Sequence, residues 1–300
     1  MLRISIITPS FNQGIYLEET ISSVLGQRYP NLEYLVIDGG STDETLTILP
    51  KYDKLLYYWI SEQDRGQSHA INKGLSHATG DILGYLNSDD LLLPGSLRFV
   101  ANWFEHHPEH TWLSGSVLAF QDDPLPPSLL HSKYPSNLSE YLLSPWHIWQ
   151  QGTFWRKTMF ETVGYFNEHL HYAMDMDYWA RAWLAGFRPV IVKFPLAAMR
   201  MHPESKSCRQ AEKFNRDIRF VLKACVPKLS SKDKRELRRL RLKRLARLVQ
   251  NRAIQDATNS NKSRAWKEFL RALSIDPMSA FERSTWGSMR RLLRQGGAGV

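Results

Sequence analysis

"GDILGYLNSDDLLLPGSL" (residues 80–97) is an apolar run that ends in two adjacent acids, Asp89 and Asp90, after which apolar residues resume at once. Neighbouring carboxylates repel, so a pair at the end of a buried strand needs a compensating positive charge, and a cation arriving from outside is one source. Asp also caps helices, and a helix starting near Pro94 offers that second use. The preceding residues weigh on the choice. "ISIIT" (4–8), "LEYLVID" (32–38), "LLYYWIS" (55–61) and "DILGYLN" (81–87) are short apolar runs suited to strands covered on both faces. Between them, residues 15–27 place Leu17, Ile21, Val24 and Leu25 at helical spacing, and residues 67–78 do so with Ala70, Ile71, Leu75 and Ala78. Asp43 precedes a further short helix that ends around Pro50 and Tyr52. This alternation predicts right-handed crossovers and a mostly parallel sheet, with ligands outside the carboxyl ends of the strands. Each of those ends is polar: Thr8-Pro9-Ser10, Asp38-Gly39-Gly40-Ser41, Glu62-Gln63-Asp64-Arg65 and Asn87-Ser88-Asp89-Asp90.

Composition bounds the rest. A chain of 300 residues with 43% hydrophobic content can bury one large core, or one core with an appendage. No run approaches the roughly 20 apolar residues that span a bilayer, and the apolar start is too short for a signal peptide. The expectation is a soluble, cytoplasmic chain, at most peripheral at the inner membrane surface. Two cysteines, Cys208 and Cys225, exclude a disulfide framework and a cysteine zinc site. The net charge of +9 is unevenly spread: residues 1–205 carry 14 Lys/Arg against 22 Asp/Glu, and residues 206–300 carry 25 against 8. An acidic α/β body (1–208) followed by a basic helical extension (209–300) is the predicted organisation. Residues 121–150, rich in Pro, Ser and Asp, read as a long surface loop.

Four acids at strand ends, Asp38, Asp64, Asp89 and Asp90, bind an anion only through a divalent cation, which takes carboxylate oxygens and leaves positions for phosphate oxygens. Such an ion also stabilises a departing diphosphate. Asp38 has a simpler reading, since Asp-Gly-Gly-Ser is ordinary turn chemistry. Its functional reading is acceptance of a hydrogen bond from a base imide or a ribose hydroxyl. Neither a G-x-G-x-x-G fingerprint nor a phosphate-cradling P-loop is present, which argues against a redox dinucleotide enzyme.

The stretches "SIITPSFNQGIYLEETISSVLGQRYPNLEYLVIDGGSTDET" and "DRGQSHAINKGLSHATGDILGYLNSDD" resemble the family 2 inverting glycosyltransferases of the GT-A fold, over roughly residues 3–205. The resemblance implies an α/β GT-A body, a nucleotide-sugar donor (a UDP-sugar) and a Mg²⁺ or Mn²⁺ ion. It puts Thr8, Pro9 and Phe11 at the nucleotide, with Asp38 reading uracil or ribose and Asp64 and Arg65 closing the pocket. "NSDD" resembles the family's metal-binding acidic motif, with Asp89 near the ribose and Asp90 on the cation. Asn87 stands where many members have an acid. "YAMDMDYWARAWLAGFR" (172–188) resembles the catalytic-base segment, and its spacing to Arg181 picks Asp175 over Asp177, with Met174 where many relatives carry a second acid. A plain N-cap is the alternative for Asp175. In "MRMHPESKS" (199–207), His202 corresponds to the His that completes the metal site, so the implied ligand set is Asp89, Asp90 and His202.

The acceptor implied is a hydroxyl of a glycan or lipid-linked saccharide. One sugar is transferred per encounter, because the Q-x-x-R-W motif of processive synthases is missing. The Trp-rich "WHIWQQGTFW" (146–155) either lines an acceptor pocket, with Gln150 and Gln151 donating to sugar hydroxyls, or packs beneath a loop. "KDKRELRRLRLKRLARLVQ" (232–250) sets Leu237, Leu240, Leu245 and Leu248 along one side, for packing on the body with some peripheral contact to an anionic membrane. No nucleic-acid reader motif accompanies its charge. Residues 263–277 have the spacing of one tetratricopeptide helix or of an ordinary amphipathic helix. The rivals are a nucleotidyltransferase, which would want a basic glycine-rich loop after the first strand, and a binding scaffold without catalysis.

Overall fold

The computed structural model describes residues 1–121, 126–144, 147–205, 211–258 and 262–276; Trp146, Cys208 and Pro277 lie outside them. The chain divides into two compact units, Met1–Lys228 and Leu229–Val300. In the first, the order is β1 (Ile4–Ser10), α1 (Gly14–Leu25), β2 (Leu32–Asp38), α2 (Thr45–Ile48), β3 (Tyr58–Ser61), α3 (Gln67–His77), β4 (Ile82–Tyr85), β5 (Leu91–Leu92) and α4 (Ser96–His106). It continues with β6 (Trp112–Phe120), β7 (Ser128–Leu130), α5 (Leu138–Leu143), β8 (Thr153–Arg156), α6 (Lys157–Val163), α7 (Met174–Leu184), β9 (Val190–Arg200) and α8 (Ala211–Cys225).

These strands form one sheet in the order β3-β2-β1-β4-β8-β6-β9-β5, with β7 on β6. β1 is buried along its whole length, as a strand with parallel neighbours on both sides must be. Leu17, Ile21 and Val24 of α1 pack with Ile4, Ile6, Val36 and Ile82, so the helical spacing of the sequence becomes a face of the core. α3 lies close on β1: a Cβ at Gly74 would fall 2.4 Å from Ile7 Cγ2, so no larger residue fits there.

Three sequence expectations change and one open alternative is decided. The sheet is mixed: β3-β2-β1-β4 and the β6–β9 pair are parallel, while β8 runs antiparallel to both β4 and β6, β7 antiparallel to β6, and β5 antiparallel to β9. Within 121–150, β7 and α5 replace the expected loop: the Asn137 side chain accepts the Glu140 amide as an N-cap, and Leu138, Tyr141 and Leu142 are buried. Trp155 is fully buried against Trp179, which stacks on Trp112 at 4.9 Å, so this tryptophan is core and not a pocket lining. The first unit also runs past the expected boundary at 208, because α8 packs on α7 and buries Asp217, Val221 and Cys225.

In the second unit, α9 (Ser231–Thr258) and α10 (Lys262–Ile275) pack through Ala246, Val249 and Ala272. Leu237 is buried and Leu245 is 47% exposed, so the two do not share one covered side as the spacing predicts. Among the described residues no helix is long and apolar enough to cross a membrane.

Candidate active site

Strand register brings the first side chains together. Ser10, Asp38 and Ser61 stand in one row across β1, β2 and β3. Asp38 is fully buried and its carboxylate is engaged within the protein. Oδ2 accepts from the Gly40 amide (3.2 Å), the Ser41 amide (2.9 Å) and the Ser61 hydroxyl (2.6 Å), and Oδ1 accepts from the Ser41 hydroxyl (2.5 Å). Asp38 therefore builds the turn after β2, as its Asp-Gly-Gly-Ser sequence also allows. Asp64 lies against that turn: a Cβ at Gly39 would meet its Oδ2 at 2.7 Å, while its Oδ1 accepts the Gly66 amide at 2.6 Å.

The loop after β1 is tied to the same turn. The Asn12 amide donates to Ser41 Oγ (2.7 Å) and its Oδ1 accepts the Thr42 amide (2.9 Å). Asp43 accepts the Gly14 amide at 2.8 Å; burial opposes ionisation there, but hydrogen bonds from Thr45 and Gly14 outweigh it and hold the carboxyl below its ordinary value. Of the three residues expected at the nucleotide, Thr8 is buried with its hydroxyl on Tyr34 Oη (3.1 Å), and Pro9 is buried opposite Ile37. Phe11 is 59% exposed just past the strand end. Next to it, Ser10 Oγ is buried with no hydrogen-bond partner among the described residues. Arg65 reaches the second half of the unit, donating to Glu168 Oε2 from Nε (3.1 Å) and Nη2 (2.5 Å).

The acid pair divides its work. Asp90 is buried, with Oδ1 accepting the Arg200 amide (3.1 Å) and Oδ2 accepting Asn87 Nδ2 (3.0 Å), and Gln151 adds a further side-chain bond. Burial, then the charge of Asp89, pushes its carboxyl well above the ordinary carboxylate range. Asp89 is instead partly exposed, and its Oδ2 faces His202 Nε2 at 3.0 Å. Of the implied ligand set Asp89, Asp90 and His202, the imidazole is therefore paired with Asp89. Asn87, in place of an acid, accepts Gln67 Nε2 (2.7 Å) while donating to Asp90. The sequence reading missed Arg200. Its guanidinium is buried between the rings of Tyr16 (5.0 Å) and Phe120 (4.7 Å), donates to the Asp89 carbonyl (3.2 Å) and pairs with Glu19. A built-in cation thus supports the backbone of the acidic turn.

Among the described residues no three His, Cys, Asp or Glu side chains form a metal cage. Asp89 and His202 nevertheless fit a hard ion that takes its remaining ligands from diphosphate and water. Two donors 3.0 Å apart match one edge of an octahedron whose bonds are about 2.1 Å.

Asp175 sits in the first turn of α7, whose N-cap is Ala173, so it is not an N-cap residue. It is half-buried, its Oδ1 accepts the Met176 amide (2.7 Å), and burial raises its carboxyl above the ordinary value. Asp177 is committed elsewhere, accepting Arg181 Nε at 2.8 Å. Tyr85, at the end of β4, is buried. Burial, then the charges of Asp175, Tyr141 and Asp90, push its hydroxyl well above the ordinary phenol range. Gln150 donates to the Tyr85 carbonyl (2.6 Å) and accepts from Asn87 (3.4 Å), a supporting role in place of the expected sugar contact. No sequence pattern singles out Tyr85, because a Tyr closing a strand is ordinary core chemistry.

Known proteins are similar to this chain in sequence and in fold. A glycosyltransferase of Mycobacterium tuberculosis is 44% identical over 88 residues, which is 29% of this chain and 34% of that protein. A Campylobacter jejuni β-1,3-glucosyltransferase acting on GalNAc(5)-diNAcBac-PP-undecaprenol is 33% identical over 101 residues, 32% of this chain and 33% of that protein. The chain thus spans about a third of the length of these curated relatives. Among solved structures, Staphylococcus aureus TarS (residues 1–349) in complex with UDP-GlcNAc superposes with TM-score 0.63 at 20% identity, covering 98% of this chain and 89% of that one. The Pyrobaculum calidifontis mannosyltransferase PcManGT, in complex with GDP-Man and Mn²⁺, superposes with TM-score 0.56 at 16% identity, covering 98% and 86%. These likenesses give the fold as GT-A. The profile described as "Glycosyl transferase family 2" matches residues 5–164, more than half of the chain, and the chain belongs to that family.

Proposed function

We propose that this chain is a metal-dependent, inverting glycosyltransferase that moves one sugar from a UDP-sugar to a hydroxyl of a glycan or lipid-linked acceptor. The observation that carries the reading is the acidic turn after β4, where Asp89 Oδ2 and His202 Nε2 stand 3.0 Å apart beside the buried Asp90, two donors spaced for one hard ion. The nucleotide-sugar complexes of TarS and PcManGT support the donor class, and the undecaprenol-linked substrate of the Campylobacter relative supports the acceptor class.

In this reading Phe11 stacks on the base, and the Asp64–Gly66 turn closes over the nucleoside. Asp89 and His202 hold a Mg²⁺ or Mn²⁺ ion, with Asp90 behind them fixed by Arg200, Asn87 and Gln151. A bound divalent ion supplies Lewis-acid stabilisation to a departing diphosphate. Asp175 accepts the proton of the acceptor hydroxyl while that oxygen attacks the anomeric carbon from the face opposite the diphosphate. A C–O bond forms to the acceptor, the bond to the phosphate oxygen breaks, and its electron pair leaves with the nucleoside diphosphate. Alignment contributes as much as charge, which is why both halves of the unit are tied together through Arg65 and Glu168.

The second unit supports a cytoplasmic chain held peripherally on an anionic membrane. At 100° per residue, Arg235, Arg238, Arg241, Leu242 and Leu245 fall within an arc of about 120°. The three arginines are exposed, and Leu242 and Leu245 are 49% and 47% exposed. The test of the activity is release of nucleoside diphosphate from a panel of nucleotide sugars with Mn²⁺, in wild type and Asp175→Asn. Turnover lost in the variant is expected; turnover of the variant at the wild-type rate would overturn the reading.

A further inference from the structure

The segment that leads into Asp175 is fastened from two sides. On one side α3 holds it: Asn72 donates to the Phe166 carbonyl and accepts the Phe166 amide (both 2.9 Å), and Ser68 donates to the Leu170 carbonyl (2.9 Å). His171 then packs on Gly66, where a Cβ would fall 3.0 Å from His171 Nδ1. The last fastening before α7 comes from α8. Asp217 Oδ2 accepts the amides of His171 and Tyr172, each at 2.9 Å, and Asp217 is 2% exposed. No side chain caps the start of α7, and this carboxylate anchors the backbone immediately before the turn that begins the base helix.

We propose that Asp217 is a positioning residue for catalysis: by holding the backbone of His171 and Tyr172 it fixes where Asp175 stands relative to the acidic turn. The inference rests on the reading of Asp175 as the base. It also makes α8, which lies beyond the residues matched to the family, a part of the catalytic body. A buried carboxylate that takes two backbone amides is a rigid anchor, because both donors lose their partner together if it is removed. An error of about 1 Å in the approach of a base costs up to roughly 100-fold in rate while leaving the donor pocket intact. Loss of Asp217 therefore acts on kcat, and donor KM stays where it was.

The test uses the full chain with UDP-sugar and Mn²⁺, in wild type, Asp217→Leu, Asp217→Asn and Asp175→Asn. Asp217→Leu removes the acceptor; kcat is expected to fall roughly 10- to 100-fold with KM for the donor within about twofold. Asp217→Asn keeps a carbonyl oxygen for both amides and is expected to restore kcat to within about threefold of wild type. If Asp217→Leu does not fold, Asp217→Ser, too short to reach both amides, takes its place with the same expected split. Unchanged kcat in the Leu or Ser variant, or equal losses in kcat and donor affinity that Asn does not rescue, would overturn the proposal. Asp175→Asn turning over at the wild-type rate would instead remove the base assignment, a separate result from the same plate.

Discussion

Asp38 and Asp89 end neighbouring parts of one sheet in much the same way, each an acid following a buried apolar strand, yet their surroundings are opposite. Asp38 is fully buried and takes hydrogen bonds from two amides and two hydroxyls of its own turn and of β3. Asp89 is partly exposed and faces an imidazole across the sheet. The first arrangement uses up a carboxylate; the second leaves it partly exposed. What separates the two acids is the inventory of partners, which strand patterning does not contain.

The largest effect should fall on catalysis without folding. Asp175→Asn is expected to lower kcat by about 10²- to 10⁴-fold while the melting temperature stays near wild type, read by diphosphate release and a thermal melt. Asp89→Ala should resemble it, with activity lost and stability kept. Asp38→Ala should do the reverse first: buried donors left without an acceptor cost about 3–5 kcal/mol in total, a fall of roughly 10 °C in Tm. Equal stability of Asp38→Ala and Asp89→Ala would break the comparison.

A second pair sharpens it on a smaller scale. Phe11→Ala removes an exposed ring and should raise donor KM several-fold with little change in Tm. Thr8→Val removes the bond to Tyr34 in the core and should lower stability by about 1 kcal/mol without touching KM.

The pH dependence is subtler. Burial raises the Asp175 carboxyl, so if Asp175 is the base, as proposed, kcat is expected to be lost as pH falls through a value above the ordinary carboxylate range. Stability has the opposite sign: the folded state holds that proton more tightly than the unfolded chain, so this group's contribution is present below the ordinary value and is lost as pH rises through the raised one. A kcat profile with its acid limb at or below the ordinary carboxylate range would contradict the assignment.

Much of this was legible beforehand, for physical reasons that also mark where it stopped. Short apolar runs located β1 to β4 and 3.6-residue spacing located α1 and α3, because β1, β2 and β4 are covered on both faces while each helix buries one face in the shared core. The second half resisted: β8 runs antiparallel to both its neighbours, a matter of chain path and not of spacing. α5 was hidden in a Pro- and Ser-rich stretch, though the Asn137 cap was readable. Asp175 was picked by its distance to Arg181, but the arginine is bound by Asp177, a partnership that spacing alone does not reveal. Arg200 and Asp217 were invisible because an Arg in a strand and an Asp in a charged helix read as surface until their partners are known.

The most direct measurement is Mn²⁺ binding followed by electron paramagnetic resonance in the presence of UDP, for wild type, Asp89→Asn, His202→Ala and Asp38→Asn. The account predicts affinity weakened roughly tenfold or more by the Asp89 and His202 substitutions, and unchanged in whatever fraction of Asp38→Asn is folded. Wild-type Mn²⁺ affinity in Asp89→Asn and His202→Ala, or its loss in folded Asp38→Asn, would contradict it.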